Sequence, residues 1–389
     1  MSHRPAPTSG LLSKGTQLKL STTTRAAVCT VAVAGALALS ACGASNENAN
    51  AAGSSAGGSS DSAPKLTGTL SGAGSSAQQA AMQGWKAGFA SQQPAVTVNY
   101  DPIGSGGGRT QFLSGGVNFA GSDAALKDAE VTQAQTQCGS GGYFELPNYI
   151  SAIAVAYNLP GVDGLQLSPA TLAKIFSGQI TTWNDPAIAA DNPGKNLPNT
   201  TITAVHRADK SGTTNNFTDY LNKTAGDVWT NAANDAWPLQ GGEAANQTSG
   251  MVSAVKAGNG SIAYIDESQA TGLQVAKIKV GSSWVAPNSE GAAKLAASSP
   301  TVSGRAATDL AVQLNRTTTD SSEYPLVLVS YHIGCLQPKD ATKGQILAAF
   351  EDYVVSADGQ AAAAKAAGSA PISADQRTKS QKIVDQIKG

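Results

Sequence analysis

Short runs dominated by apolar and β-branched residues alternate along this chain with longer stretches rich in helix formers. Residues 96–100 (Val96-Thr97-Val98-Asn99-Tyr100), 150–157, 201–205 and 326–331 predict strands. Residues 77–85, 169–176, 250–256 and 344–356 predict helices. The polar stretch 185–198, which contains three prolines, predicts a loop. Strand and helix in alternation predict an α/β protein, and no internal repeat interrupts the pattern. In open sheets of that class a ligand binds beyond the carboxyl ends of the strands, where glycine-rich turns feed helices.

The first 41 residues depart from this pattern. Arg4, Lys14, Lys19 and Arg25 precede an apolar run at residues 26–39, and no acidic residue occurs before Glu47. A basic start followed by a short apolar stretch reads as an export signal, too short for a membrane span. Leu39-Ser40-Ala41-Cys42 resembles a bacterial lipobox, in which the cysteine is acylated and becomes the mature N-terminus. The competing reading is an ordinary signal peptide with an incidental cysteine. Residues 42–64, almost wholly Ala, Gly, Ser and Asn, have no means of burying a core and read as a flexible tether.

The folded body therefore starts at residue 65 and is long enough for two domains of ordinary size. The chain carries 26 Lys+Arg against 27 Asp+Glu, and four of its basic residues lie in the leader, so the body is mildly acidic. It offers no basic face to nucleic acid. His3, His206 and His332 are too few and too scattered for a metal cluster, and neither a metal nor a cofactor is expected. Of the cysteines, Cys29 leaves with the leader and Cys42 is committed to lipid. Cys138 and Cys335 remain, either as a disulfide formed in an oxidising compartment or as two separate buried thiols.

Candidate chemistry concentrates in four segments. Arg207-Ala208-Asp209-Lys210-Ser211-Gly212-Thr213 packs a fixed cation, its carboxylate partner and several small donors into seven residues. Gly72-Ala73-Gly74-Ser75-Ser76, Ile103-Gly104-Ser105-Gly106-Gly107-Gly108 and Gly121-Ser122-Asp123 have a similar character. Ser75 and Ser76 precede one predicted helix and Ser211 precedes another, and helix N-termini attract anions. Two helix starts and one guanidinium suit a phosphate-sized oxyanion. Taken singly, such segments mark turns and caps, and Arg207 with Asp209 is otherwise a surface ion pair.

Enzymatic readings fit less of the chain. Gly72 to Ala77 matches a dinucleotide Gly-x-Gly-x-x-Ala element with Asp101 as the ribose acid, but leaves the other three segments unexplained. Ser253-Ala254-Val255-Lys256 and Lys210-Ser211-Gly212 imitate elements of penicillin-recognising serine enzymes, in reversed order along the chain. The five tryptophans, Trp85, Trp183, Trp229, Trp237 and Trp284, read as core or interface residues. Tyr143 and Tyr149 read as packing residues rather than as a cleft lining.

As an ordered set, the four segments are joined by Ile175-Phe176-Ser177-Gly178-Gln179-Ile180, Trp183-Asn184-Asp185-Pro186 and Gly260-Ser261-Ile262-Ala263-Tyr264. Together they resemble the PstS family, the phosphate-binding lipoproteins of bacterial phosphate ABC transporters, over nearly all of residues 65–389. The resemblance implies a two-lobed periplasmic-binding-protein fold, type II-like, with two α/β domains joined by a two-strand hinge. It places lobe I at residues 65–148 plus 323–389 and lobe II at 149–322, with crossings near 146–150 and 322–326. It implies phosphate binding by Ser76, Ala77, Ser105, Asp123, Arg207, Ser211, Gly212 and Thr213, with Asp209 orienting Arg207. A non-enzymatic receptor is then expected, lipid-anchored through Cys42 to the outer face of the cell membrane, delivering inorganic phosphate to an ABC permease and its ATPase. A surface adhesin or a sensor for another oxyanion is the alternative.

The chain departs from the family where Ser76-Ala77 replaces a common Thr-Phe pair, and where Lys210 replaces a smaller residue. Asp123 gives the implied site its selectivity: a carboxylate repels a bound anion unless the ligand has a proton to donate, which phosphate has and sulfate lacks.

Overall fold

The computed structural model describes residues 65–389, so the leader, the tether and Cys42 lie outside the described residues. The chain alternates strand and helix from the start: β1 (Gly68–Gly74), α1 (Gln79–Gln92), β2 (Val96–Asp101), α2 (Ser105–Leu113), β3 (Phe119–Ser122) and α3 (Asp128–Cys138). A long strand β4 (Tyr143–Asn158) follows, then β5 (Gln166–Leu167), α4 (Pro169–Phe176), α5 (Pro186–Asp191), β6 (Thr203–Arg207) and α6 (Gly212–Thr224). Next come β7 (Glu243–Ala245), α7 (Gln247–Ala257), β8 (Ser261–Asp266), β9 (Gln274–Val280), β10 (Ser283–Val285) and α8 (Ser289–Ser298). The chain closes with β11 (Val327–Cys335), α9 (Ala341–Val355), α10 (Ala357–Ala367) and α11 (Ala374–Val384).

The strands form two main sheets that share β4, and β9 pairs with β4 and carries β5 and β10 beside it. In the first, β1, β2 and β3 run parallel in the order β2-β1-β3, with β11 antiparallel to β3 and to β4. In the second, β4 is antiparallel to β8, and β8, β6 and β7 run parallel. Residues 143–152 of β4 pair with β11, and residues 153–158 pair with β8. One strand thus belongs to both lobes of a two-lobed α/β fold. All of β4 except Asn158 is buried, as expected of a strand covered on both faces. Its register with β11 shifts where Ser330 pairs with Tyr149 but Tyr331 pairs with Pro147. A proline has no N–H to give a ladder, and this irregularity is where a central strand tolerates one.

Chain order β1-α1-β2 followed by a return to β3 on the far side of β1 creates a switch point, where crossover helices diverge and leave a crevice. The second lobe leaves the carboxyl end of β6 open in a similar way. The expected strands and helices are present, most of them longer than their apolar runs. The stretch 185–198 is a partial exception, because α5 occupies its first half. Asp185 accepts the Ala187 N–H at 2.8 Å and proline sits at the first helical position, a start signal embedded in a polar composition.

The tryptophans Trp85, Trp183 and Trp229 are core residues, and the indole of Trp85 donates to the Gly359 carbonyl at 2.9 Å. Tyr143 and Tyr149 are likewise buried, donating to Asp309 at 2.7 Å and to Asp266 at 3.0 Å. No described helix is long and apolar enough to cross a membrane.

Cys138 at the end of α3 and Cys335 at the end of β11 form a disulfide, with Cα atoms 5.2 Å apart and a sequence separation of 197. Closing so long a loop removes much of the unfolded chain's freedom. Replacing both cysteines by serine is expected to lower stability by roughly 2–5 kcal/mol, read as a lower urea midpoint. An unchanged midpoint would show that the bridge contributes nothing.

Candidate functional site

The first lobe brings three chain turns to the switch point. At the end of β1, Gly74 has φ +149° and passes so close to β3 that a Cβ would sit 1.9 Å from the Gly121 carbonyl oxygen. Only glycine allows that approach. Helix α1 starts two residues later than its composition predicts, and Ser75 rather than Ser76 serves the turn. Its Oγ accepts the N–H groups of Ala77 at 3.0 Å and Gln78 at 3.4 Å.

The glycine-rich segment after β2 is itself the first turn of a helix. Its N-cap, Gly104, has φ +92°, and a Cβ there would lie 2.4 Å from Asp209 Oδ2 and 2.8 Å from the Lys210 carbonyl. Ser105 opens α2 directly beneath Asp123, whose N–H donates to Ser105 Oγ at 3.1 Å. Asp123 follows the last residue of β3 and is only 3% exposed.

The second lobe supplies the opposing wall. Arg207, the last residue of β6, is 3% exposed and donates from Nε to Asp209 Oδ1 at 2.7 Å and from Nη2 to Asp209 Oδ2. The Arg207 N–H donates to the Tyr264 hydroxyl at 3.2 Å, which also pairs with Thr214 Oγ1 at 2.8 Å. The Gly260–Tyr264 motif therefore holds the arginine's backbone. Ser211 caps α6 by accepting the Thr214 N–H at 3.2 Å. A Cβ on Gly212 would lie 2.6 Å from Ser105 Oγ and 2.8 Å from the Asp123 Cβ, so this helix start is pressed against the first lobe. Lys210 is exposed, and its carbonyl accepts the Gly106 N–H at 3.0 Å.

Asp123 is where the two walls meet. Its Oδ1 accepts from the Ser330 hydroxyl at 2.9 Å, and its Oδ2 accepts from Ser105 at 3.4 Å and from Thr213 at 3.3 Å. Burial pushes its pKa up, against the hydroxyls of Ser75, Ser330 and Thr213 and the charge of Arg207, which favour the carboxylate. Burial also acts to raise Asp209, but the Arg207 guanidinium outweighs it and holds that carboxyl below its ordinary value. The cleft thus contains a secure ion pair and, beside it, an acid for which charge is costly.

Ser76, Ala77, Ser105, Asp123, Arg207, Asp209, Ser211, Gly212 and Thr213 all lie at the apposed ends of the two lobes. Sequence reasoning missed Ser330, Thr248, Gln269 and Asn216. Asn216 Nδ2 donates across the cleft to the Asp123 carbonyl at 2.6 Å. Ser330 had a signal, a hydroxyl inside the otherwise apolar run 326–331. Another polar contact between the lobes joins Asp235 to Arg109 at 2.6 Å and to Lys127 at 2.9 Å.

The imitations of enzyme motifs have other uses. Gly72 makes room for the Phe119 ring, which a Cβ would meet at 2.3 Å, and Asp101 is exposed. Ser253 is exposed and bonds back to the Ser249 carbonyl at 2.9 Å.

A family model described as a PBP superfamily domain matches residues 17–358. The chain is 36% identical to phosphate-binding protein PstS2 of Mycobacterium bovis over 326 residues, spanning 82% of this chain and 86% of that protein. It is 38% identical to PstS 3 of Mycobacterium tuberculosis over 341 residues, 84% and 89% of the two chains. Among solved structures it is similar to a high-affinity periplasmic phosphate-binding protein bound with phosphate, with TM-score 0.67 at 22% identity over 81% of this chain and 93% of that one. It is also similar to a phosphate-binding protein from Stenotrophomonas maltophilia, with TM-score 0.62 at 19% identity over 81% and 94% of the chains. At those identities the structural likenesses speak for the fold alone.

A methyl group on Gly104 would collide with Asp209 and with the Lys210 carbonyl, so Gly104→Ala is expected to hold the lobes apart. The Gly106 amide, which donates to Lys210, should then exchange its hydrogen at least roughly ten-fold faster, since its bond no longer forms. Unchanged exchange of that amide would mean that the lobes meet regardless.

Proposed function

Because the chain belongs to the PstS family of the PBP superfamily, we propose that it binds one inorganic phosphate between its lobes and delivers it to an ABC-type permease. The reading assigns residues 65–148 and 323–389 to one lobe and 149–322 to the other. Ser76, Ser105 and Asp123 hold the ligand from the first lobe. Arg207, Ser211, Gly212 and Thr213 hold it from the second, with Asp209 fixing the guanidinium plane. The Ala77 N–H is engaged by Ser75 Oγ at 3.0 Å, so it reaches the anion by sharing that bond. Phosphate is held without covalent chemistry, and the protein is a receptor rather than an enzyme. Export and acylation at Cys42 place it on the outer face of the cell membrane, on a tether formed by residues 42–64. Lys210, exposed beside the cleft, adds a cation at its entrance.

The observation that carries this reading is the buried Asp123 carboxylate beside Arg207. A site built only of donors would take any oxyanion. This one also has a buried carboxylate, to which only a ligand carrying a proton can donate, whereas a fully deprotonated anion would meet it as like charge. Phosphate near neutral pH presents such a proton and sulfate does not. Each charge-assisted hydrogen bond contributes roughly 1.5–3 kcal/mol, enough to separate the two ligands by ten-fold or more.

Calorimetric titration of the ligand-stripped protein should show one-to-one phosphate binding and little heat with sulfate; binding of neither would end the receptor reading. Asp123→Asn is expected to narrow the preference for phosphate over sulfate, and an unchanged ratio would remove Asp123 from its role. Arg207→Ala should weaken phosphate binding by at least roughly ten-fold, and wild-type affinity would place Arg207 outside the site.

The raised pKa of Asp123 gives a signed pH effect. As pH falls through its elevated value the carboxyl gains a proton and becomes a donor, so sulfate binding should strengthen on acidification. Asp123→Asn should remove that rise.

A further inference from the structure

We propose that Thr248 is a positioning residue for anion capture, directing the Ser76 hydroxyl into the cleft when the lobes close. The proposal rests on the phosphate reading of the cleft. Ser76 follows β1 in the first lobe, and Thr248 lies in the first turn of α7 in the second, 172 positions away. Both are nearly fully buried, at 2% and 3% exposure. Ser76 Oγ accepts the Thr248 N–H at 3.1 Å and lies 3.0 Å from Thr248 Oγ1.

A hydroxyl has one proton and two lone pairs. When Thr248 Oγ1 donates the second bond, both lone pairs of Ser76 are filled and its proton is left to point elsewhere. An anion in the cleft offers only acceptors to that hydroxyl, so this is the polarity that capture needs. With no anion present, the Ser76 proton can run to Thr248 instead. The pair therefore reverses its direction according to what occupies the cleft.

Two neighbours fix the arrangement. Gln247, just before Thr248, has φ +60° and is the non-glycine residue with positive φ among the described residues. Its N–H donates to Asp209 Oδ1 at 2.9 Å, while the next N–H goes to Ser76, so one turn of chain braces a partner in each lobe. A backbone in that region is held there by its surroundings. Gln269 Nε2 donates to the carbonyls of Ser76 at 2.9 Å and Ala77 at 3.1 Å, anchoring the same backbone from the second lobe.

Thr248→Val removes the hydroxyl while keeping the shape and the N–H. Measured by stopped flow with inorganic phosphate on the full chain, it should speed phosphate release by about five- to ten-fold and leave association almost unchanged. Thr248→Ser should restore slow release. Because Thr248 acts through Ser76, Thr248→Val should have no further effect in a Ser76→Ala background. Release at the wild-type rate in Thr248→Val, failure of Thr248→Ser to restore it, or an undiminished effect without Ser76 would each overturn the proposal. Should Thr248→Val fail to fold, Thr248→Ala serves with the same readout. Absence of phosphate binding by the wild-type protein would instead defeat the underlying reading, and it would show before any variant is made.

Discussion

A buried carboxylate beside a buried guanidinium is the constraint around which this molecule is organised. Asp123 in water would be comfortable, but in the cleft its charge is costly unless donors surround it. Those donors come from separated places: Ser105 from the start of α2, Ser330 from β11 and Thr213 from α6. One lobe alone cannot supply them all. The close approaches at Gly74, Gly104 and Gly212 follow, because each brings one of these groups, or its backbone, to where a side chain would have kept it away. Arg207 is a charge of the other kind, paired with Asp209 through Nε and Nη2 and held at its backbone by Tyr264.

The architecture lets this apposition be reversible. Strand β4 pairs with β11 along its first part and with β8 along its last, so the lobes share a strand. Away from that strand polar contacts join them, such as Gly106 to Lys210, Asn216 to Asp123, Thr248 to Ser76 and Arg109 to Asp235. Such bonds exchange readily with water at small net cost, whereas an apolar interface of the same size would resist opening. A ligand that bound the closed form better than an open one would shift the balance toward closure.

Several features were legible in the residues themselves. Alternating strand and helix runs identify an α/β protein, because a sheet face and a helix stripe each leave a local period. The four segments that converge on the cleft are legible because exposed backbone N–H groups and small hydroxyls leave clusters of Gly and Ser beside a strand end. Cys138 and Cys335 left two options open, and the fold pairs them. Helix α5 was missed since its cap and N-terminal proline sit in a stretch that is otherwise polar. Ser75 and Ser76 were both visible as candidates for a helix start. Their division of labour, one serving the turn and the other facing Thr248, depends on which way each side chain projects.

The residues alone pointed to the class of fold and to the glycine- and serine-rich segments that include Asp123 and Arg207, all of which are written in local composition and spacing, while the roles expected of those residues came with the family resemblance. They did not settle which hydroxyls reach Asp123, that Thr248 and Gln269 meet Ser76 and Ala77, or that burial raises one carboxyl while an arginine lowers another. Those outcomes depend on groups as many as 207 positions apart in the chain, as with Ser330 and Asp123. A hydrogen bond acts over about 3 Å, so its partners are defined only once the chain has folded them together.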